Sequence, residues 1–249
     1  RIIYLSGGLG NQMFQYAFAY SLARQLGTDF QMDLSVLLDR SKPDIVPRNY
    51  DLDIFTLVPK FRQSPALLKT LYYFPSSRMT KVMKRSAEGG QKYIKEEHFH
   101  VMQSVLRQPM DKALYDGWWQ SEAYFADVAK EIRQEFTFRN KIEGPTLSLL
   151  TKIQNCNSVC LNIRRTDFLN NPTLNTTSLA YFERAAQYMI GALDTPSFFV
   201  FSDDIEWCLE NIKLAAPTTF VTHDHKGHKF GNYLQMMAAC HHFIIPVDI

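Results

Sequence analysis

The 249-residue sequence has only four cysteines, Cys156, Cys160, Cys208 and Cys240, and they form no CxxC pair and no framework spacing. Each lies in an apolar stretch such as "SVCLNI" or "MMAACHHF", so reduced, buried thiols are expected in place of a disulfide scaffold. No segment approaches the roughly 20 apolar residues that a membrane span needs. Neither sign of charge dominates: 27 Lys and Arg against 25 Asp and Glu leave a formal charge of +2. That balance removes the general electrostatic case for nucleic acid. Repeats and low-complexity tracts are lacking, and because "RIIYLSGG" opens at once on a buried-strand pattern, no charged-then-apolar leader is expected. The expectation is a cytoplasmic protein, with peripheral attachment to the inner membrane face as the alternative. In that setting the sequon Asn175-Thr176-Thr177 carries little weight.

What is present suits a folded chain: 46% hydrophobic and 21% charged residues, with length enough for one large domain or two smaller ones. Apolar residues 2–5 read as a strand that "SGGLGN" breaks. From Asn11 to Leu26 the apolar residues Phe14, Ala17, Phe18, Leu22 and Leu26 fall at helical spacing, and Gly27 is a suitable stop. A strand follows at "DFQMDL". Residues 40–115 hold proline-punctuated loops and a basic stretch, "RMTKVMKRSAEGGQKYIK", that reads as a solvated face. "ALYDGWWQSEAYF" reads as aromatic and turn-like, and "ADVAKEIRQEF" as helical. After the break at Gly144-Pro145, strands and helices alternate from "SVCLNIRRTDF" through "SFFVFSDD" and "TTFVT" to "HFIIPV". Such alternation, started twice, predicts an α/β protein with two Rossmann-like lobes, 1–145 and 146–249, whose parallel sheets face a cleft.

Four constellations carry candidate chemistry. In "GGLGNQMFQYA" a strand ends in glycines and opens into a helix, which aims unpaired N–H groups and a positive dipole end at a phosphate or polar sugar. Gly8-x-Gly10-x-x-Met13 lacks the third glycine of a dinucleotide fingerprint, and no Gly-Lys-Ser/Thr follows as in a P-loop. A plain tight turn is the alternative, although Asn11 and Gln12 put two amides at the helix start. Next, Asn162-Ile163-Arg164-Arg165-Thr166-Asp167 sets twin arginines at the carboxyl end of a buried strand, where ligands of parallel sheets collect. One arginine would grip a diphosphate while the other holds Asp167 or the loop; a structural Arg–Asp pair is the other reading. In "FFVFSDD" a strand runs into Asp203 and Asp204, which either cap the following helix or accept from a base or ribose. Lastly, His223, His225 and His228 flank Asp224 in a loop. Without a second ligand cluster they read as a polar loop within reach of a ligand and not as a metal site.

Together and in this order, these segments resemble glycosyltransferase family 11, the α-1,2-fucosyltransferases of bacterial type. "GGLGNQMFQYAFA" matches the family's N-terminal signature, "GWWQSEAYF" its central aromatic segment, "NIRRTDF" its His-x-Arg-Arg-x-Asp motif, and "FFVFSDD" and "LQMMAACHHFII" its later motifs. The resemblance implies a GT-B-like fold and an inverting, metal-independent transfer of L-fucose from GDP-β-L-fucose to the 2-hydroxyl of a terminal β-galactoside. It implies an acceptor-side first lobe and a donor-binding second lobe. Arg164 would hold the β-phosphate, with Arg165 and Asp167 beside it as catalytic candidates. Asn162 and Ser202 would lie near the nucleotide and Asp203 or Asp204 near guanine, and Gly8, Gly10, Asn11 and Gln12 would line the cleft from the other lobe as further donor-binding candidates. Gln120 and Glu122 are acceptor-side candidates, and Asp167 and Glu122 are candidate bases by residue type. Asn162 stands where the family usually has His, and an amide cannot carry a proton. The family continues past this point into a Ser-x-Phe-Ser-Trp-Trp segment, so the second lobe is expected to be incomplete. Two rivals are a nicotinamide-dependent oxidoreductase, read from the glycine turn plus Asp33, and a binding protein for GDP-sugar or glycan without turnover.

Overall fold

The computed structural model describes residues 1–39, 48–62, 92–98, 100–110, 112–166 and 178–246. They form two compact units, Arg1–Arg139 and Asn140–Ile249. The boundary falls a few residues before the Gly-Pro break because Ile142 already packs in the second unit's core, with Ile153, Cys160 and Met236.

The first unit holds a four-stranded parallel sheet in the order β2-β1-β4-β3. Its strands are β1 (Ile2–Tyr4), β2 (Gln31–Asp33), β3 (Lys92–Lys95) and β4 (Ala113–Asp116). Helix α1 (Leu9–Gln25) follows β1 directly, as the apolar spacing predicts. Further along lie the short helices α2 (Gln103–Arg107) and α3 (Ala129–Glu135). Here the structure corrects the sequence: "ALYD" is an inner strand of the sheet and not part of a turn. Four residues are too few for alternation to show, and Ala113, Leu114 and Tyr115 are all buried. Behind it the Phe18 and Trp119 rings stack at 4.1 Å and 5°. Tyr115 and Tyr124 meet Phe18 edge-on at 5.4 and 5.2 Å.

The second unit is also a four-stranded parallel sheet, in the order β7-β6-β5-β8. Its strands are β5 (Ser158–Ile163), β6 (Ser197–Ser202), β7 (Thr218–Phe220) and β8 (His242–Ile244). Its helices are α4 (Gly144–Gln154), α5 (Leu179–Ala192), α6 (Ile205–Asn211) and α7 (Gly231–Ala238). Both central strands are buried on both faces, and the period of two sorts their side chains between two cores. Val159, Leu161, Ile163, Phe198 and Val200 pack with Phe182 of α5 and Cys208 of α6. Cys160, Phe199 and Phe201 pack with Ile153 of α4 and Met236 of α7. Cys160, Cys208 and Cys240 are free and buried, Cys156 free and half-buried. Among the described residues, no helix is long and apolar enough to cross a membrane.

Candidate functional site

Strands β5 and β6 lie side by side in register, Ile163 opposite Ser202, so their carboxyl ends are level. The chain leaves β5 as Arg164-Arg165-Thr166 and leaves β6 as Asp203-Asp204, which brings two candidate motifs together. Asp203 anchors the arginine segment: its Oδ1 accepts from the Arg165 backbone N–H at 2.9 Å and its Oδ2 from the Thr166 hydroxyl at 2.6 Å. Asp204 does two tasks. Its Oδ1 caps α6 by accepting from the Trp207 N–H at 3.3 Å, and its Oδ2 pairs with Arg165 Nε at 3.1 Å. The Arg165 guanidinium lies 3.6 Å from the centre of the Trp207 ring, a cation–π contact that fixes its plane.

Arg165 pairs with Asp204 and positions the segment, and Arg164 is exposed at the strand end. Both aspartates act as anchors of that segment, a role that the family resemblance did not supply. Ser202 is buried, and its hydroxyl accepts from the Asp204 N–H at 2.9 Å. Asn162 is half-buried one step before the end of β5. Asp167 lies outside the described residues.

The histidine loop borders the same sheet. His223 Nε2 donates to the Ser202 carbonyl at 3.1 Å, whereas His225 Nδ1 meets the Thr146 hydroxyl at 2.9 Å. The rings thus serve separate partners, and among the described residues no three His, Cys, Asp or Glu side chains converge as metal ligands would. Lys229 and Phe230 both adopt left-handed backbone angles, with φ of 48° and 60°. Two such non-glycine residues in succession store strain of the kind that accompanies functional loops. Tyr233 holds the loop's base by donating to the Val221 carbonyl at 2.6 Å. Burial, with help from Asp224, pushes its phenol up to about 12.

In the first unit, a cavity of about 600 Å³ opens at the carboxyl edge of the sheet. Gly7, Gly8 and Asn11 line it from the β1–α1 turn, and Glu96, Asp116 and Trp118 from the ends of β3 and β4. The conformationally demanding glycine is Gly7, at φ +74°, and not Gly8 or Gly10. A Cβ on Gly7 would collide with the Asn11 side chain and come within 2.8 Å of Trp118 Cζ3, while around Gly10 there is open space. Left-handed backbone costs an alanine about 1–2 kcal/mol before any collision. Gly7→Ala should therefore lower the melting temperature by about 2–8 °C, whereas Gly10→Ala, inside α1, should hold or raise it. Thermal unfolding of both variants checks this.

The two glutamines of the N-terminal signature turn inward. Gln12 is fully buried: Nε2 donates to the Gly7 and Asn49 carbonyls at 3.1 and 2.8 Å, and Oε1 accepts from the Asp51 N–H at 2.9 Å. It braces the cavity wall instead of lining the cavity. Gln15, which the sequence reading missed, ties the turn to β4: Nε2 donates to Ser6 Oγ and to the Gly117 carbonyl, and Oε1 accepts from the Ser6 N–H. Its signal was a polar residue, three positions after Gln12, on a helix face otherwise buried among apolar side chains. Gln120 is exposed and donates to Asn11 Oδ1 at 2.6 Å, and Glu122 is exposed in a 3₁₀ turn; neither lines the cavity. Asp33, which a nicotinamide site needs for the ribose, is buried, pairs with Arg62 at 3.3 Å and accepts from the Ser35 N–H. That use counts against the oxidoreductase reading.

Two α/β units, each built on a four-stranded parallel sheet, define a GT-B-like fold. The chain belongs to glycosyl transferase family 11, whose sequence model matches residues 2–248, and it is a glycosyltransferase. An "Alpha-1,2-colitosyltransferase" of Escherichia coli is 30% identical over 222 residues, covering 82% of this chain and 69% of that protein. The "Galactoside alpha-(1,2)-fucosyltransferase 2" of Gorilla gorilla gorilla is 24% identical, covering 97% of this chain and 64% of that protein. Among solved structures, the fold is similar to that of NodZ alpha-1,6-fucosyltransferase co-crystallised with GDP. The TM-score is 0.53 at 14% identity, over 97% of this chain and 86% of that one. NodZ from Bradyrhizobium in another crystal scores 0.52.

Proposed function

We propose that this chain transfers L-fucose, with inversion and without a divalent metal, from GDP-β-L-fucose to the 2-hydroxyl of a terminal β-galactoside, in the synthesis of a glycan or surface polysaccharide. The observation that carries this reading is the exposed Arg164 guanidinium, set at the carboxyl end of β5 by a neighbour that two aspartates hold in place. The donor and linkage follow the relatives: proteins named α-1,2-fucosyltransferases, and a GDP complex of a fucosyltransferase with the same fold.

In the transfer, the bond from the sugar C1 to the β-phosphate oxygen breaks, GDP leaves with the electron pair, and the acceptor oxygen forms the new bond to C1. Positive charge builds on the sugar ring and negative charge on the departing phosphate. A guanidinium fixed beforehand at that phosphate acts where charge develops, and needs no reorganisation to do so. The acceptor proton passes to a carboxylate or to the departing phosphate; Asn162, an amide, takes no part in that relay.

A second donor has support from the relative named a colitosyltransferase. Colitose is fucose without the 3-hydroxyl, and a site built to hydrogen-bond a hydroxyl rejects the analogue that lacks it by large factors. Incubation with GDP-fucose or GDP-colitose, a panel of β-galactosides and EDTA, followed by linkage analysis, tests all three elements. The expected product is an α-1,2-fucosyl galactoside formed at full rate in EDTA. Preference for GDP-colitose would replace the donor, dependence on added Mg²⁺ or Mn²⁺ would defeat the metal-free mechanism, and no product on any galactoside would defeat the transfer.

A further inference from the structure

We propose that the first unit's cavity seats the acceptor sugar, with the Trp118 indole as the platform for its apolar face and Glu96 as the residue that positions that platform; the identity of the sugar rests on the fucosyl-transfer reading.

The aromatic side chains around this cavity fall into two kinds. Phe18, Tyr115, Trp119 and Tyr124 are buried in the core, at 0–2% exposure. Trp118 is 38% exposed and lines the cavity. Sugars such as galactose present a face of C–H groups to one side and hydroxyls to the other, so a flat exposed ring beside polar groups matches both halves of the ligand. The polar groups are there: the Asp116 carboxylate, which accepts from the Tyr93 hydroxyl, together with Lys95, Ser6 and Asn11.

The backbone that carries the indole is fixed in advance, which distinguishes a platform from an ordinary surface aromatic. One carboxylate oxygen of Glu96 accepts from two consecutive backbone N–H groups, those of Trp118 at 2.6 Å and Trp119 at 3.0 Å. Glu96 also fills the space that a side chain on Gly117 would need, with its Cβ and Oε2 at 2.5 and 2.8 Å from that point. The next residue, Trp119, adopts φ of 55°, a left-handed conformation that a bulky residue enters only when its surroundings impose it. Its ring is locked against Phe18 on the core side. From the other side, Gln15 holds the Gly117 carbonyl at 3.0 Å. On a backbone so restrained, binding a sugar leaves only the indole's own rotamers to be ordered.

Charge separates this site from that of the nucleotide. Among the described residues the lining carries three carboxylates, Asp39, Glu96 and Asp116, against two cations, Arg48 and Lys95. A diphosphate is disfavoured in such a setting, whereas a neutral polyol with many hydroxyls finds acceptors as well as donors. The volume, about 600 Å³, lies within the range of about 300–1,000 Å³ usual for small-molecule sites.

Steady-state kinetics with lactose as acceptor, on wild type, Trp118→Ala and Trp118→Phe, tests the platform. Trp118→Ala should raise the acceptor KM by about tenfold or more, leaving the GDP-fucose KM and the melting temperature unchanged, and Trp118→Phe should recover most of the loss. Glu96→Ala should shift the same constant, and Glu96→Gln, which keeps an acceptor oxygen, should shift it less. A purely structural Glu96 would lower the melting temperature and leave the acceptor KM where it was. An unchanged acceptor KM in a folded Trp118→Ala protein overturns the proposal, and so does a rise in the GDP-fucose KM alone, which would assign the cavity to the nucleotide. Calorimetric titration of lactose without donor separates this inference from the transfer itself. If wild type forms no fucosylated product yet binds lactose, and Trp118→Ala does not, the cavity stands and the transfer falls; equal binding by both proteins removes the cavity whatever the transfer assay gives.

Discussion

Arg164→Ala should lower kcat by about 10²–10³, equivalent to about 2.7–4 kcal/mol of transition-state stabilisation, while the protein stays folded. Arg164 stands exposed past the last residue of β5, so its side chain adds nothing to either core of the second unit. Its effect should appear in the chemical step, where the leaving phosphate gains charge, and only weakly in GDP-fucose binding. Arg164→Lys restores the charge without the planar fork and should fall between the two. Arg165→Ala makes the contrast: it removes an ion pair to Asp204 and a ring contact with Trp207, so it should cost stability as well as rate. Steady-state rates beside thermal unfolding distinguish these patterns. Near-normal transfer by a folded Arg164→Ala protein would defeat the assignment of the leaving-group cation.

Trp119→Ala should be the most destabilising change in the first unit, by about 3–5 kcal/mol, lowering the melting temperature by about 6–20 °C. The ring is fully buried and lies on Phe18 at 4.1 Å, with Tyr124 edge-on at 5.5 Å. Little can collapse into the space it leaves, because its neighbours are rigid aromatic rings. Trp119→Phe should cost far less. Among the described residues the buried indole N–H has no hydrogen-bond partner, so the smaller ring gives up packing but no polar contact. Thermal melts of the two variants measure the difference, and a small effect from Trp119→Ala would show that this cluster does not hold the sheet edge.

The second unit was readable because its determinants are local. "SVCLNI" and "SFFVFS" are apolar runs long enough to show as buried strands, and Asp204 as a helix cap was among the readings of its motif. The ion pair that forms joins Arg165 to Asp204 across two motifs, whereas the sequence offered Asp167, which lies outside the described residues. The first unit was readable only at its start, where glycines and helical spacing stand next to each other. The inner strand Ala113–Asp116 escaped because its four residues carry no periodicity of their own. Glycine types alone could not single out Gly7, since Gly8 and Gly10 look alike until the backbone angles are fixed.

By itself, then, the sequence determined the α/β class, the two parallel sheets, the family and the short list of charged residues at the strand ends, because hydrophobic period, glycine punctuation and contiguous motifs are properties of neighbouring residues. Only the tertiary structure decided that Arg165 pairs with Asp204 and that Arg164 is exposed, that Gln12 and Gln15 brace the turn from within, and that Glu96 fixes the Trp118 backbone. The bonds of Glu96 to Trp118, Arg165 to Asp204 and Gln15 to Gly117 join residues 22 to 102 positions apart, and hydrogen bonds over such separations leave no local pattern. The register of the strands brings these groups within reach, and their chemistry follows from that approach.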